Sequence, residues 1–309
     1  MRSDLRHWLA LATAPGVGPA LFRRLCRRFG DPRTALEAAS NGELAAVPGV
    51  TVETAAALAD FDEAVRAAEW TLADLKHAGC RAVTSEDGEY PPALLELPDP
   101  PPLLMVRGRL PGPDDKTFSV AGSSHPSRRG REIADLAGVE IAHAGWTLVS
   151  GYATGIDSAA HLGALAAGGR TVLVLPTGIL AFRLRAPFRA FELELGRRIT
   201  LVSECAAEEP WRAVHAVRRN RLIAALGRGL LVVEARPESG TMITFRDAVG
   251  LGRPAYVVRF HEPPTGAEGN ELAIRRGGMP IAGMSDLRGV LASDELPRTL
   301  PKATQGELY

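Results

Sequence analysis

From residue 117 onwards short apolar runs alternate with glycine-rich turns, and this alternation predicts the fold. Phe118-Ser119-Val120-Ala121 reads as a buried strand. It runs into Gly122-Ser123-Ser124-His125-Pro126-Ser127-Arg128-Arg129-Gly130, where a helix opens. A second strand, 147–150, empties into Gly151-Tyr152-Ala153-Thr154-Gly155-Ile156-Asp157 and a second helix. A third, 171–175, stops at Pro176-Thr177-Gly178. The rhythm continues through strands at 199–203, 229–234 and 254–258, the second of these apolar on both faces and therefore central. Between them Val217-Arg218-Arg219-Asn220-Arg221 starts a helix over 222–226, and Ser239-Gly240-Thr241 delivers the chain to another. Strand, glycine-rich turn, helix, repeated, is the wiring of a doubly wound, mainly parallel α/β sheet. Its ligands sit outside the carboxyl ends of the strands, where helix N-termini offer free N–H groups to anions.

The N-terminal part has another pattern. The first sixty residues are helical in period and carry two similar turns: Ala14-Pro15-Gly16-Val17-Gly18-Pro19 before a helix at 20–29, and Val47-Pro48-Gly49-Val50-Thr51 before one at 52–58. This resembles the helix-hairpin-helix, SAM-like module, whose hairpin amides approach a DNA phosphate; Arg23, Arg24, Arg27 and Arg28 crowd the first of the two helices. A further helix spans 62–77. Residues 85–115 are rich in Pro and acid, with short strands at 81–84 and 103–108, and read as a bridge carrying strands for the sheet edge. The expected organisation is a helical domain over 1–80, linker and edge strands over 81–117, a Rossmann-like domain over 118–290 and a flexible tail over 291–309.

Net charge is zero, so global charge identifies no partner, but its distribution is uneven. Residues 181–230 hold ten Arg against five Glu, whereas 59–115 hold twelve acids against five bases, which points to one face built for a polyanion. Cys26, Cys80 and Cys205 are odd in number and lack metal-ligand spacing, as in a reducing compartment. No apolar run reaches membrane-spanning length and no signal-type start is evident, so the expected location is cytoplasmic, with no membrane, metal or cofactor.

Seven motifs in order then match one family. They are Gly-Ser-Ser (122–124), Ser-Gly-Tyr-Ala-Thr-Gly-Ile-Asp-Ser-Ala-Ala-His (150–161), Leu-Val-Ser-Glu (201–204), Arg-Arg-Asn-Arg-Leu-Ile-Ala-Ala-Leu (218–226), Val-Val-Glu-Ala (232–235), Ser-Gly-Thr-Met-Ile-Thr (239–244) and Gly-Asn-Glu-Leu-Ala-Ile-Arg-Arg-Gly-Gly (269–278). The combination resembles the DprA/Smf family of DNA-processing proteins. The resemblance implies an extended Rossmann domain that binds and protects single-stranded DNA, forms a homodimer and helps load the RecA recombinase during DNA uptake and recombination, without catalysis. Carried over residue by residue, it implies a phosphate-binding groove of Gly122, Ser123 and Ser124, with Arg128 and Arg129 near; Gly151, Tyr152, Gly155 and Asp157; Arg218, Arg219, Asn220 and Arg221; and Ser239, Gly240 and Thr241. On this reading Arg221→Ala weakens binding and flattens its salt dependence.

The chain departs from the family at four points. Ser124 stands where the family has Arg, and Pro176-Thr177-Gly178 with Arg185-Ala186-Pro187 where it has Gly-x-Gly and Tyr-Pro-x-x-Asn. Val258-Arg259-Phe260 replaces Val-Pro-Gly, and no winged-helix domain is expected after residue 290. Two other readings are open: a nucleotide-sensing Rossmann protein of a phage-defence or signalling system, and a nucleotide phosphoribohydrolase-like enzyme. The loop 237–244 lacks the paired Gly and closing Glu of the latter. Among single residues, Asp157 is expected to cap a helix and His161 to pack on the sheet. Glu204 and Glu234 are expected to bond loop amides or Arg side chains, Trp211 to lie in the core, and Tyr152 to be free to stack on a base.

Overall fold

The computed structural model describes residues 4–293, 296 and 297. The helical N-terminal unit comprises α1 (Leu5–Thr13), α2 (Pro19–Phe29), α3 (Pro32–Ser40), α4 (Val52–Ala57) and α5 (Phe61–His77), with a 3-10 turn at Glu43–Ala46. Side-chain oxygens set the starts: Asp31 accepts from the Thr34 amide, Thr51 from Thr54 and Asp60 from Glu63. Pro19 and Pro32 occupy first-turn positions, where a missing N–H costs nothing.

The remainder is β1 (Arg81–Thr84), α6 (Pro92–Leu95), β2 (Leu103–Arg107), β3 (Thr117–Ala121), α7 (Arg128–His143), β4 (Thr147–Ser150), α8 (Ile156–Ala166), β5 (Thr171–Val174), β6 (Ile199–Ser203), α9 (Ala213–Arg218), α10 (Asn220–Leu226), β7 (Gly229–Val232), α11 (Gly240–Gly250), β8 (Ala255–Val258), α12 (Glu268–Arg275), β9 (Met279–Ile281) and α13 (Met284–Leu291). A 3-10 segment, Ala186–Glu194, follows β5. The nine strands form one sheet in the order β1-β2-β6-β5-β4-β3-β7-β8-β9. From β6 to β9 every pairing is parallel; β2 runs antiparallel to β6 and β1 antiparallel to β2. The expected doubly wound, Rossmann-like sheet is present, and the two strands expected at an edge are there.

Alternate residues of each central strand serve opposite layers, which is why these strands read as unbroken apolar runs. Phe118, Val120, Leu148 and Leu231 pack with α7 and α8, whereas Val149, Leu230 and Val232 pack with α10 and α11. The helical unit has no separate core. Leu9, Leu11, Leu25 and Leu36 share one cluster with Met105, Leu173 and Leu201 of the sheet. The Pro-rich segment is likewise bound in, through buried Tyr90, Leu94 and Leu97.

The short helices α6 and α9, the three-residue edge strand β9 containing Pro280, and α13 after it have no counterpart in the sequence reading. Pro is tolerated at that edge because its missing N–H is not needed by a neighbour. α12 begins at Glu268 and carries most of the 269–278 motif. Apart from residues 291–293, 296 and 297, the expected tail lies outside the described residues.

Candidate nucleic-acid interface

The chain leaves β3 towards β4 on one side and β7 towards β8 on the other, so the fork between β3 and β7 is the topological switch point. A crevice is expected there at the carboxyl ends of the strands. An open cleft of about 960 Å³ occupies it. Ser123, Ser124 and His125 of the loop after β3 form one wall; Arg236 to Thr241, from the loop after β7 into the first turn of α11, form another; Ala216, Val217, Arg219 and Asn220 close the third side.

Each loop is fixed from beneath. Glu234, buried at the end of β7, accepts from the Ser127 amide at 3.0 Å and the Ser127 hydroxyl at 2.7 Å. Its own carbonyl accepts from the Ser123 amide at 2.7 Å. The loop after β7 is held by Asn270, whose Oδ1 accepts from the Ala235 amide and whose Nδ2 donates to the carbonyls of Val233 and Val258. Sequence reasoning placed Asn270 in a motif without a role; an Asn opening a helix after a Gly-rich loop was the available signal. The first two loops also lock together, with the Ile156 amide donating to the Ser123 carbonyl and the Thr154 hydroxyl to that of Ser124.

The second loop is organised by Arg185, which sequence reasoning did not select. Its guanidinium lies 3.9 Å from the centroid of the Tyr152 ring and donates to the Tyr152 carbonyl and the Ser158 hydroxyl. The Tyr152 hydroxyl accepts from the Arg185 amide, and Phe182 and Phe188 adjoin the ring. Tyr152 is thus committed to the scaffold and does not line the cleft. Trp211 lies opposite to expectation: it is exposed, because it precedes α9, a six-residue helix with no buried residue.

The four residues 218–221 divide by helical geometry. Arg219 and Asn220 line the cleft, Asn220 donating to the Gly240 carbonyl. Arg218 and Arg221, three apart and so on another face, turn to Glu204. Arg221 bonds both Glu204 oxygens at 2.9 and 2.8 Å and both Asp99 oxygens at 3.0 and 3.1 Å. Arg218 approaches Glu204 to 3.1 Å. Burial pushes the Glu204 carboxyl up, but the two guanidiniums outweigh it and hold it below the usual range. Neither Arg218 nor Arg221 lines the cleft. Arg128 pairs with Glu132 in the solvent and Arg129 faces a different groove, so neither stands in for the Arg that Ser124 replaces.

Below the cleft Asp157 accepts from the amides of Gly151 and Ala153, both at 3.2 Å. It sits in the first turn of α8, whose cap position is Gly155, so it holds the loop rather than capping the helix. Arg219 Nη2 is 3.9 Å from it. Burial raises the Asp157 carboxyl against the pull of Arg219. Gly122 packs on Ile156, and Gly151 lies against the Arg219 guanidinium.

One turn on, His161 is buried with Nδ1 2.5 Å from the Thr171 hydroxyl of β5. Burial, with Arg185 and Arg219 adding to it, lowers its pKa from an ordinary 6.5 to about 3. The unfolded chain therefore binds one more proton between those values, and stability falls as pH drops through that window, by up to about 1.4 kcal/mol per pH unit. His161→Gln should flatten the decline of the urea midpoint between pH 6.5 and 4. An equally steep decline in the variant would assign the acid sensitivity elsewhere.

The hairpins of the helical unit are engaged internally. Arg23 donates to the Pro98 carbonyl at 2.8 Å, Arg24 donates to the Pro48 carbonyl, and Val17 and Pro19 of the first hairpin line a small cavity shared with Pro101, Leu103 and Glu204. Among the described residues no helix is long and apolar enough to cross a membrane, and no three His, Cys, Asp or Glu converge as metal ligands.

With this geometry, comparison with known proteins becomes specific. The profile of the DNA recombination-mediator protein A family matches residues 81–291, and that of the SAM-like helix-hairpin-helix tandem matches 9–61. Protein Smf of Escherichia coli strain K12 is 32% identical over 233 residues, covering 75% of this chain and 62% of that one. Protein Smf of Synechocystis is 30% identical over 258 residues, covering 82% and 64%. The chain thus spans less than two thirds of the length of these relatives. The fold matches that of DNA processing protein A from Streptococcus pneumoniae, with a TM-score of 0.68 at 24% identity, over 94% of this chain and 98% of that one. It also matches DNA processing protein A from Helicobacter pylori, a structure concerned with single-stranded DNA binding, with a TM-score of 0.59 at 23% identity over 69% and 97%. Profile, relatives and fold converge, and the chain belongs to the DNA recombination-mediator protein A family.

Proposed function

We propose that this protein binds single-stranded DNA without sequence preference in the switch-point cleft, shields it, and helps load the RecA recombinase, acting in the cytoplasm as a homodimer. The observation that carries the reading is the cleft itself. It joins a buried guanidinium, a helix N-terminus and serine-rich loops outside the strand ends, the equipment for holding phosphates. Ser123, Ser124, Arg219, Asn220, Ser239, Gly240 and Thr241 form the contact surface. Gly122, Gly151, Gly155 and Asp157 shape it from below. The reading is non-catalytic: the two strand-end carboxylates are occupied, Glu234 with Ser127 and Glu204 with two arginines.

Fluorescence anisotropy with oligo-dT of several lengths, single- and double-stranded, at two salt concentrations tests this. Tighter binding to single strands, rising with length and falling with salt, is expected. Equal affinity for the duplex, or none for either, would overturn the proposal.

A further inference from the structure

We propose that the buried guanidinium of Arg219 and the N-terminus of α11 form a pocket for one phosphate group at the base of the cleft, which accepts the phosphate of a nucleoside 5′-monophosphate as well as one of a DNA strand. The inference rests on the reading of this cleft as the nucleic-acid site and gives that site its anchor.

The first observation is an unsatisfied cation. The Arg219 side chain is 6% exposed, and its Nε and Nη1 have no hydrogen-bond partner. Its counter-charge, Asp157, stands 3.9 Å from Nη2, beyond hydrogen-bond reach, and is already committed to two loop amides. Buried donors without acceptors are costly, and a guanidinium is always charged. An anion entering from the cleft supplies what the protein does not.

The second observation is independent. α11 is eleven residues long, yet its cap residue, Ser239, makes no capping bond. The Ser239 hydroxyl instead donates to the Arg236 carbonyl at 2.7 Å. The first turn of α11 therefore lacks a side-chain cap, and its residues Gly240 and Thr241 line the cleft, where the helix dipole favours negative charge. Asn220, beside Arg219, donates to the Gly240 carbonyl and ties this helix start to the arginine. The cleft wall carries one carboxylate, Glu238, among its described residues, and the volume exceeds that of a phosphate, leaving room for a sugar and base.

The test uses inorganic phosphate, thymidine 5′-monophosphate and thymidine at constant ionic strength, read by shift in Tm and by displacement of labelled oligo-dT. The monophosphate should raise Tm and displace the oligonucleotide, phosphate should do so more weakly, and thymidine should do neither. Arg219→Gln should weaken the monophosphate about tenfold or more, the loss of a charge-assisted contact, while Arg219→Lys retains part of the effect. Asp157→Asn keeps an acceptor for the loop amides and removes a charge that opposes the anion, so it should tighten the monophosphate. It also decides the case if Arg219→Gln fails to fold. Oligonucleotide binding that neither phosphate nor monophosphate disturbs would overturn this inference and leave the DNA-binding proposal standing. Monophosphate binding without oligonucleotide binding would do the reverse. Equal effects of thymidine and its monophosphate, or no tightening in Asp157→Asn, would also overturn it.

Discussion

Arg221→Ala should cost about 3–5 kcal/mol of folding stability, because it strands a buried carboxylate. Glu204 is 2% exposed, and Arg221 satisfies both of its oxygens while also gripping Asp99 of the Pro-rich segment. Arg218 remains within 3.1 Å of Glu204 and offsets part of the loss, which favours the lower end of the range. The midpoint of urea unfolding should fall, and Tm should fall by on the order of 10 °C. The salt dependence of DNA binding should keep its slope. Arg221→Met with Glu204→Gln should recover most of the stability, since the cost lies in the unpaired charge more than in the missing bonds. Unchanged stability with a flatter salt slope would instead return Arg221 to the DNA-binding surface.

Gly155→Ala should be the most damaging single methyl in the site. Its φ of +77° with ψ of −125° lies where L-residues are not accommodated, and a Cβ there would sit 2.4 Å from the Ser123 carbonyl oxygen and 2.6 Å from Pro126 Cδ. Backbone strain alone costs about 1–3 kcal/mol, and relieving the clash must pull the second loop off the first. Ser123 is a cleft residue bonded to Ile156 through its carbonyl, so the cleft wall moves with it. We expect a loss of about 3 kcal/mol in stability and at least tenfold weaker single-strand binding. Gly151→Ala provides the contrast. Its Cβ would fall 1.3 Å from Arg219 Nη1, the far end of a long side chain, so the arginine is displaced with little backbone strain. Binding should suffer there while stability changes less. Wild-type affinity and stability in Gly155→Ala would mean that the interlock of the two loops is not needed.

The sheet and the location of the cleft were legible because both follow from short-range chemistry. Central strands reveal themselves as apolar runs, and the loops that open helices reveal themselves by Gly and Ser. The arrangement of the arginines was less legible. Arg218, Arg219 and Arg221 are chemically alike, and only their angular spacing, read against a carboxylate ending another strand, separates the cleft residue from the two that pair with Glu204. The same blindness applies to Arg185 and Tyr152, whose stacking depends on a 33-residue separation in sequence that no local pattern encodes. Trp211 was misplaced because an aromatic residue is ordinarily buried, and nothing nearby marks α9 as lying outside the core. β9 escaped because three residues containing a Pro do not look like a strand.

The sheet order carries a consequence for synthesis. β3 lies at the centre of the seven parallel strands, but its partner on one side is β7, with Phe118 opposite Gly229; likewise β2, which precedes β3, waits for β6, with Met105 opposite Ser203. At about 5–20 residues per second on the ribosome, a hundred residues of delay is roughly 5–20 s during which those strand edges have emerged without their partners. The N-terminal helices wait with them, since their core includes residues of β5 and β6. The nascent chain therefore has an extended interval of exposed apolar surface, and the length of that interval is set by topology before stability has any part in it.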